Sequence, residues 1–261
     1  MFGKNRETMH KRYIKFGEKD VTLCGKKGDI YFDNAVPDEP FTFAMTALPN
    51  AAVVFDIGSN IGMTAVVAAK QGAAKVYAFE PDPNVFSFLL DTVKANAALV
   101  DAHNIALGSK EGTLSFFSNP DSASASHLVT ENTLGHSPTH RVRMSTFDAF
   151  VTSHQIHRID FIKIDVEGFE IDVLWGARET IPRLKPSLLI EFNAFTMVGF
   201  RDINPRDLLR LLLETFPYVY RFKDGKPQLI DGDDAALGFI HDNLVSAGCV
   251  DDLYCTFQPV L

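Results

Sequence analysis

Cysteine is scarce in this 261-residue chain: Cys24, Cys249 and Cys255 are its whole complement, two of them six residues apart and the third distant. That spacing implies neither a disulfide framework nor a CxxC metal knuckle, and it suits a reducing compartment. No stretch approaches the roughly 18 consecutive apolar residues of a membrane span, and the opening "MFGKNRETMHKRYIK" lacks the apolar core of a signal peptide. A soluble, cytoplasmic protein with no membrane span is expected. Long Lys/Arg clusters are missing as well, and the formal charge is −8. Nucleic acid is therefore not expected as a partner, because phosphate backbones need a positive footprint. The short basic stretch "KNRETMHKRYIK" reads as a solvated face.

What is present is ordinary globular material, 46% hydrophobic and 22% charged, enough for one large α/β domain with appendages. Residues 1–50 read as an N-terminal extension packing on the core: two short strands in "YIKFGEKDVTLCG" and "GDIYFDN", and a helix in "EPFTFAMTALP". From residue 51 to 261 strands and helices alternate. "AVVFDIG" is an apolar strand and "NIGMTAVVAAKQG" a helix; "KVYAFEP" is a second strand, and "NVFSFLLDTVKANAAL" a helix with Asn84 as N-cap. "DAHNIALG" and "GTLSFFS" follow as strands, and the polar stretch 119–140 as a mobile loop on the substrate side. "RVRMSTFDAFVTSHQI", "IDFIKIDVEG", "EIDVLWGARETIPRL" and "PSLLIEFN" continue the alternation, which implies βαβ crossovers and a parallel sheet covered on both faces. The tail adds an amphipathic helix opening at Pro205, a hairpin around "KDGK" and a last strand, "DLYCTFQ", compatible with one mixed sheet.

Two places carry chemistry. "FDIGSNIGMT" joins the first core strand to its helix, where doubly wound folds bind nucleotide-like ligands. Its glycines, Gly58 and Gly62, are separated by three residues, so with Asn60 between them this is not a GxGxxG fingerprint. Glycine there permits tight turning and close backbone approach. Glu80 ends the second strand 22 residues after Gly58, near the offset at which an acid meets ribose hydroxyls. Together they point to an adenosine-containing ligand; the plainer alternative is a packing turn with a solvated Glu80. Asp56, before the turn, would repel a pyrophosphate but could pair with an ammonium, which favours S-adenosylmethionine over NAD. The second place is "DFIKIDVEGFE", an apolar strand that runs into Asp165 and Glu167, with the charged Lys163 inside it. A buried lysine must be paired, and one of these acids is its expected partner; the alternative is that its stem snorkels the ammonium to an edge.

With those residues in hand, the chain resembles the FkbM family of S-adenosylmethionine-dependent methyltransferases. The likeness is carried by "VVFDIGSNIGMT", "VYAFEPDPNVFSFL", "NIALG", "STFDAF", "DFIKIDVEGFEIDVLWGA" and "PSLLIEF", in the family's order over about residues 52 to 192. The resemblance implies a class I methyltransferase (Rossmann-like) fold: a mostly parallel seven-stranded sheet with an antiparallel last strand and helices on both faces. It implies that Asp56, Gly58, Ser59, Asn60 and Gly62 form the turn under the methionine part of the cofactor. Glu80 would be the ribose acid, Pro81 and Asp82 neighbours of the adenine, and Ala106 would face the adenine edge through its backbone. Ser59 replaces an alanine common in the family, a change a turn tolerates.

Methyl transfer from a sulfonium is an in-line displacement that needs near-attack geometry, and a hydroxyl acceptor is helped by a base. Asp165, Glu167 and Glu191 are the base candidates: Asp165 closest to the cofactor's amino group and methyl, and Glu167 or Glu191 nearer the acceptor, with Lys163 holding an acid ionised. Glu167 could instead serve only the charge complementarity of the helix that follows. No metal spacing is evident, although oxygen ligands would suit Mg²⁺. His127, His136 and His140 are alternative bases, more simply exposed loop histidines; Trp175 reads as core. The expected activity is O-methylation of a hydroxyl on a small-molecule or glycan-type acceptor, with S-adenosyl-L-methionine as cofactor. The alternatives are a non-catalytic domain that binds S-adenosylmethionine or S-adenosylhomocysteine, and a nicotinamide-dependent oxidoreductase, which Asn60 and Asp56 disfavour.

Overall fold

The computed structural model describes residues 8–119, 121–129, 133 and 137–260. It opens on a hairpin, β1 (Met9–Phe16) and β2 (Lys19–Lys26), turned at Gly17. Only residues 8 to 15 of the basic stretch are described, and Ile14 faces inward while its neighbours meet solvent. "GDIYFDN" is a helix and not the expected strand: α1 (Ile30–Asn34) starts because the Asp29 carboxylate accepts the Phe32 N–H at 2.8 Å. A second short helix, α2 (Glu39–Thr46), is capped the same way by Asp38.

The central alternation is β3 (Val53–Ile57), α3 (Met63–Lys70), β4 (Lys75–Phe79), α4 (Pro83–Ala95) and β5 (Val100–His103). Asn84 is not the cap of α4. Asp82 is, accepting from Asn84 N at 2.8 Å and Val85 N at 3.4 Å, with Pro83 pre-set in the first turn. The stretch expected as one third strand divides at Asn104, so that β6 (Ala106–Leu107) leaves for a second sheet. There it joins β7 (Gly112–Phe117), β8 (His127–Val129) and β9 (His140–Ser145) in the order β6-β9-β7-β8. The expected mobile loop 119–140 thus contains, among the described residues, a 3₁₀ turn (Ala123–Ala125) and a strand.

The chain then returns through α5 (Phe147–Ser153), β10 (Phe161–Ile164), α6 (Glu170–Trp175), α7 (Thr180–Leu184), β11 (Ser187–Asn193), α8 (Ala194–Arg201) and α9 (Pro205–Thr215). A single helix over "EIDVLWGARETIPRL" is interrupted after Trp175. Gly176 passes so close to Gly108 that a Cβ would lie 2.1 Å from its carbonyl oxygen. Trp175 is 52% exposed, not core. Last come β12 (Tyr218–Lys223), β13 (Lys226–Leu229), a helix not foreseen, α10 (Gly232–Val245), and β14 (Val250–Thr256).

The main sheet runs β13-β12-β14-β11-β10-β3-β4-β5. β3, β4, β5, β10 and β11 are parallel, and β14 inserts antiparallel between β11 and β12. This is the expected Rossmann-like methyltransferase fold with one strand more than the expected seven, because β13 folds back on β12 at the edge. Strand order reverses between β3 and β10, which makes their carboxyl ends the topological switch point.

Side-chain alternation sorts the core into two layers. Phe55, Ile57, Ile162, Ile164 and Ile190 pack under α5, α6 and α9, while Val54, Phe161, Leu189 and Tyr254 pack with Val21, Leu23, Phe32 and Phe41 of the first 50 residues. Period two therefore sets Asp56, Lys163, Glu191 and Asp252 on the face that the N-terminal segment covers. No helix among the described residues is long and apolar enough to cross a membrane.

Candidate active site

A crevice opens at the switch point, where open α/β sheets bind their ligands. Of the residues singled out in the sequence, Gly58, Ser59, Asn60, Glu80, Pro81, Ala106, Lys163, Asp165 and Glu167 line it. Gly62 and Asp82 stand behind the wall. Gly62 begins α3 at φ +89, packed on Leu89, and Asp82 spends its carboxylate on capping α4. Asp56 lies beneath, fully buried.

The turn after β3 is held by backbone bonds across to β4: Gly58 N and Ser59 N both donate to Phe79 O, at 3.0 and 2.9 Å. Gly58 sits at φ +82, and a Cβ there would fall 1.7 Å from the carbonyl oxygen of Asp165. Only glycine lets the two strand ends approach this closely. Glu80 seals the arrangement, accepting Asn60 N at 3.0 Å on one oxygen and Asp82 N at 2.8 Å on the other. A carboxylate has about four acceptor positions, so Glu80 can still meet a ligand's hydroxyls from its place on the wall. Burial lifts its pKa to about 8, against the pull of the Asp82 N–H.

Neither oxygen of Asp56 has a hydrogen-bond partner among the described residues. The Ser59 hydroxyl turns instead to the Asp56 carbonyl, at 2.7 Å. Burial raises Asp56 to about 6, with Lys163 opposing. Lys163 is its register partner on the adjacent strand and donates to Asp165 Oδ2 at 2.7 Å. Burial alone would lower the Lys163 ammonium, but Asp165 and Asp56 outweigh it and hold it above its ordinary value. An orphaned, buried carboxylate beside a glycine cradle is what the ammonium of S-adenosylmethionine requires, so these residues fit the expected cofactor.

Carboxylate oxygens of Asp165, Glu167 and Glu191 lie within 4.8 Å of one another. Glu167 is thrown into the crevice by a left-handed turn, at φ +53 with Gly168 at φ +94. Glu170 stabilises that turn, its Oε1 accepting Val166 N at 3.1 Å and Gly168 N at 3.2 Å. Glu170 is also the first residue of α6, so it supplies the negative charge at the helix start that Glu167 could have supplied. Glu191 stands behind the lining, opposite Asp252 of β14, with Oε2 buried and unbonded. Burial, then the charge of Asp165, pushes both Glu167 and Glu191 well above the ordinary carboxylate range. Oxygen ligands in this number could hold a hard divalent cation, but the Lys163 ammonium already occupies Asp165 and would repel one.

Tyr31, which was not foreseen, reaches the crevice from α1, and His127, one of the alternative bases, roofs it together with Ala123, Ser126 and Leu128 from the segment expected on the substrate side. His127 is not an exposed loop histidine: it is 1% exposed, stacked on Phe200 at 4.0 Å between ring centroids, with Nδ1 3.1 Å from Ala125 O. His140 is bonded to Thr139 at 2.9 Å, and His136 lies outside the described residues. Tyr31 was hidden by reading "GDIYFDN" as a strand; the Asp three residues before a hydrophobic Phe was the helix-start signal that would have revealed it.

Comparison with known proteins gives a consistent result. Residues 56–221, more than half of the chain, match the family described as Methyltransferase FkbM domain. The hexuronic acid methyltransferase AglP of Haloferax volcanii is 29% identical over 163 residues, 62% of each chain. Methyltransferase 1 of Beauveria bassiana is 30% identical over 169 residues, 57% of this chain and 64% of that one. The chain thus spans less than two thirds of the length of these relatives. Among solved structures, the FkbM methyltransferase of Methylobacillus flagellatus superposes with a TM-score of 0.51 at 18% identity, over 86% of this chain and 49% of that one, a likeness of fold.

Proposed function

Since the chain belongs to the FkbM methyltransferase family, with S-adenosylmethionine as cofactor, we propose that it O-methylates a hydroxyl group on a sugar-containing small molecule. The observation that carries this reading is the cluster of Asp165, Glu167 and Glu191 at the ends of adjacent strands, within 4.8 Å of one another. When bound, S-adenosylmethionine supplies a methyl group on a sulfonium. Asp165, with the buried Asp56 beneath it, would hold the ammonium at the amino-acid end, and Glu80 would hold the ribose hydroxyls. Glu167, whose carboxylate burial makes more basic than an ordinary one, accepts the proton of the acceptor hydroxyl as the new bond forms. Lys163, donating to Asp165 Oδ2, holds that carboxylate in place.

The acid cluster also selects among acceptors. An acceptor carboxylate would enter a pocket whose charges repel it, whereas a neutral hydroxyl donates to them. A methyl ether is therefore the expected product, and the likeness to a hexuronic acid methyltransferase directs the search to uronic acids and their glycosides. The test is transfer of a labelled methyl group to a panel of hexuronic acid and neutral hexose glycosides, with the product treated with mild alkali. An ether survives that treatment; a label released as methanol marks an ester and defeats the proposal. Activity should persist after dialysis against a chelator, and a loss restored by Mg²⁺ would reassign the trio to a metal.

A further inference from the structure

The family match begins at residue 56, yet one wall of the crevice comes from residue 31. Tyr31 is held there by bonds at both ends of α1. At the start, Asp29 Oδ1 caps the helix through Phe32 N, while its Oδ2 accepts Ala123 N at 2.6 Å and Ile30 N donates to Asp121 O at 3.1 Å. At the end, Arg12 of β1 donates to the carbonyls of Phe32 and Ala35. One carboxylate, Asp29, 7% exposed, therefore ties the N-terminal helix to the roof of the crevice.

Tyr31 lines the crevice with Lys163 and Asp165, and the charges that bear on its phenol are those of Lys163, Asp165, Asp56 and Asp38, in that order. Its hydroxyl makes no hydrogen bond to any described residue. Burial holds the phenol above its ordinary value, so it remains a neutral donor. The amino-acid end of S-adenosylmethionine carries a carboxylate as well as an ammonium. Asp56 and Asp165 suit the ammonium and repel the carboxylate, and Lys163 is engaged by Asp165 at 2.7 Å. A tyrosine hydroxyl answers that deficit without adding charge. We propose that Tyr31 is a cofactor-binding residue whose hydroxyl donates to the carboxylate of S-adenosylmethionine, and that Asp29 latches it in position. This rests on the cofactor assignment above.

The test is calorimetric binding of two ligands to the full chain: S-adenosylhomocysteine, which has the amino-acid end, and 5′-methylthioadenosine, which lacks it. Tyr31→Phe should raise Kd for S-adenosylhomocysteine about tenfold, the worth of one hydrogen bond to a charged group. It should leave Kd for methylthioadenosine unchanged, with the ligand-free melting temperature unaltered because the ring is retained. Asp29→Ala, which removes both acceptors of the latch, should reproduce the selective loss. Unchanged affinity for S-adenosylhomocysteine in Tyr31→Phe, or equal weakening of both ligands, overturns the assignment; wild-type affinity in Asp29→Ala overturns the latch. A wild-type protein that bound neither ligand would instead defeat the cofactor reading beneath it.

Discussion

Single positions decide whether the crevice exists. Gly58 has a positive φ and a carbonyl 1.7 Å from where a Cβ would be, so Gly58→Ala must push β3 and β10 apart at the switch point. The expected outcome is a loss of about 3 kcal/mol or more in urea unfolding, combining the positive φ with the clash, and loss of S-adenosylhomocysteine binding by calorimetry. Asp165 and Glu167 differ in kind. Asp165→Asn should lower both cofactor affinity and turnover, because Lys163 loses its charged partner; full turnover in that variant would remove Asp165 from the site. Glu167→Gln should leave cofactor affinity intact and reduce kcat by about 10²- to 10⁴-fold, the contribution of a general base, measured as S-adenosylhomocysteine formed with a saturating acceptor. At this scale the sequence was informative where chemistry and position coincide: a glycine before a strand-end acid, and an acid after an apolar strand. It was uninformative about Glu170 and Asp252, whose roles come from what faces them, and about Asp82, whose observed capping of α4 and expected place beside the adenine look alike in one dimension.

Elements succeed or fail as units. The turn Val166–Gly168 aims Glu167, and Glu170 holds it by accepting two backbone N–H groups on one oxygen. Glu170→Ala leaves the buried Gly168 N–H and the half-buried Val166 N–H without this acceptor and should cost about 2 kcal/mol or more in denaturant unfolding, since each unsatisfied buried group costs about 1–3 kcal/mol. Glu170→Gln keeps an acceptor and sheds a buried charge, so its stability should match or exceed the wild type; a Gln variant as unstable as the Ala variant would show that the charge, not the hydrogen bonds, holds the turn. The same level explains the misread elements. "GDIYFDN" has the alternation of a strand over its few residues, and the Asp29 cap outweighs it. The helix Gly232–Val245 carries a diffuse pattern, with Phe239 and Ile240 buried and Leu237, Leu244 and Val245 exposed, so no clean periodicity announced it.

Across the whole molecule, the alternation of strands and helices was legible because buried parallel strands are apolar along their length. The placement of the first 50 residues was not, since it depends on which face of the sheet they cover. That placement has a cost in charge. Asp56 (about 6), Glu80 (about 8), Glu170 (about 7) and Asp252 (about 7) are all buried, and Glu167 and Glu191 are raised well above the ordinary carboxylate range, in every case chiefly by desolvation. All of these carboxyls titrate higher in the folded chain than in the unfolded one, so between about pH 4.5 and 8 the folded state binds more protons. Their contribution is complete below the unfolded values and is lost as pH rises through the folded ones, about 1.4 kcal/mol per pH unit for each proton held only by the folded state. The ligand-free protein should therefore melt at a lower temperature at pH 8 than at pH 5, followed by circular dichroism. Glu191 isolates the cause, because its Oε2 is buried without a partner and an amide there sacrifices no acceptor. Glu191→Gln should melt higher than wild type at pH 8 and with it at pH 5, whereas an equal shift at both values would trace the effect to packing and not to the buried charge.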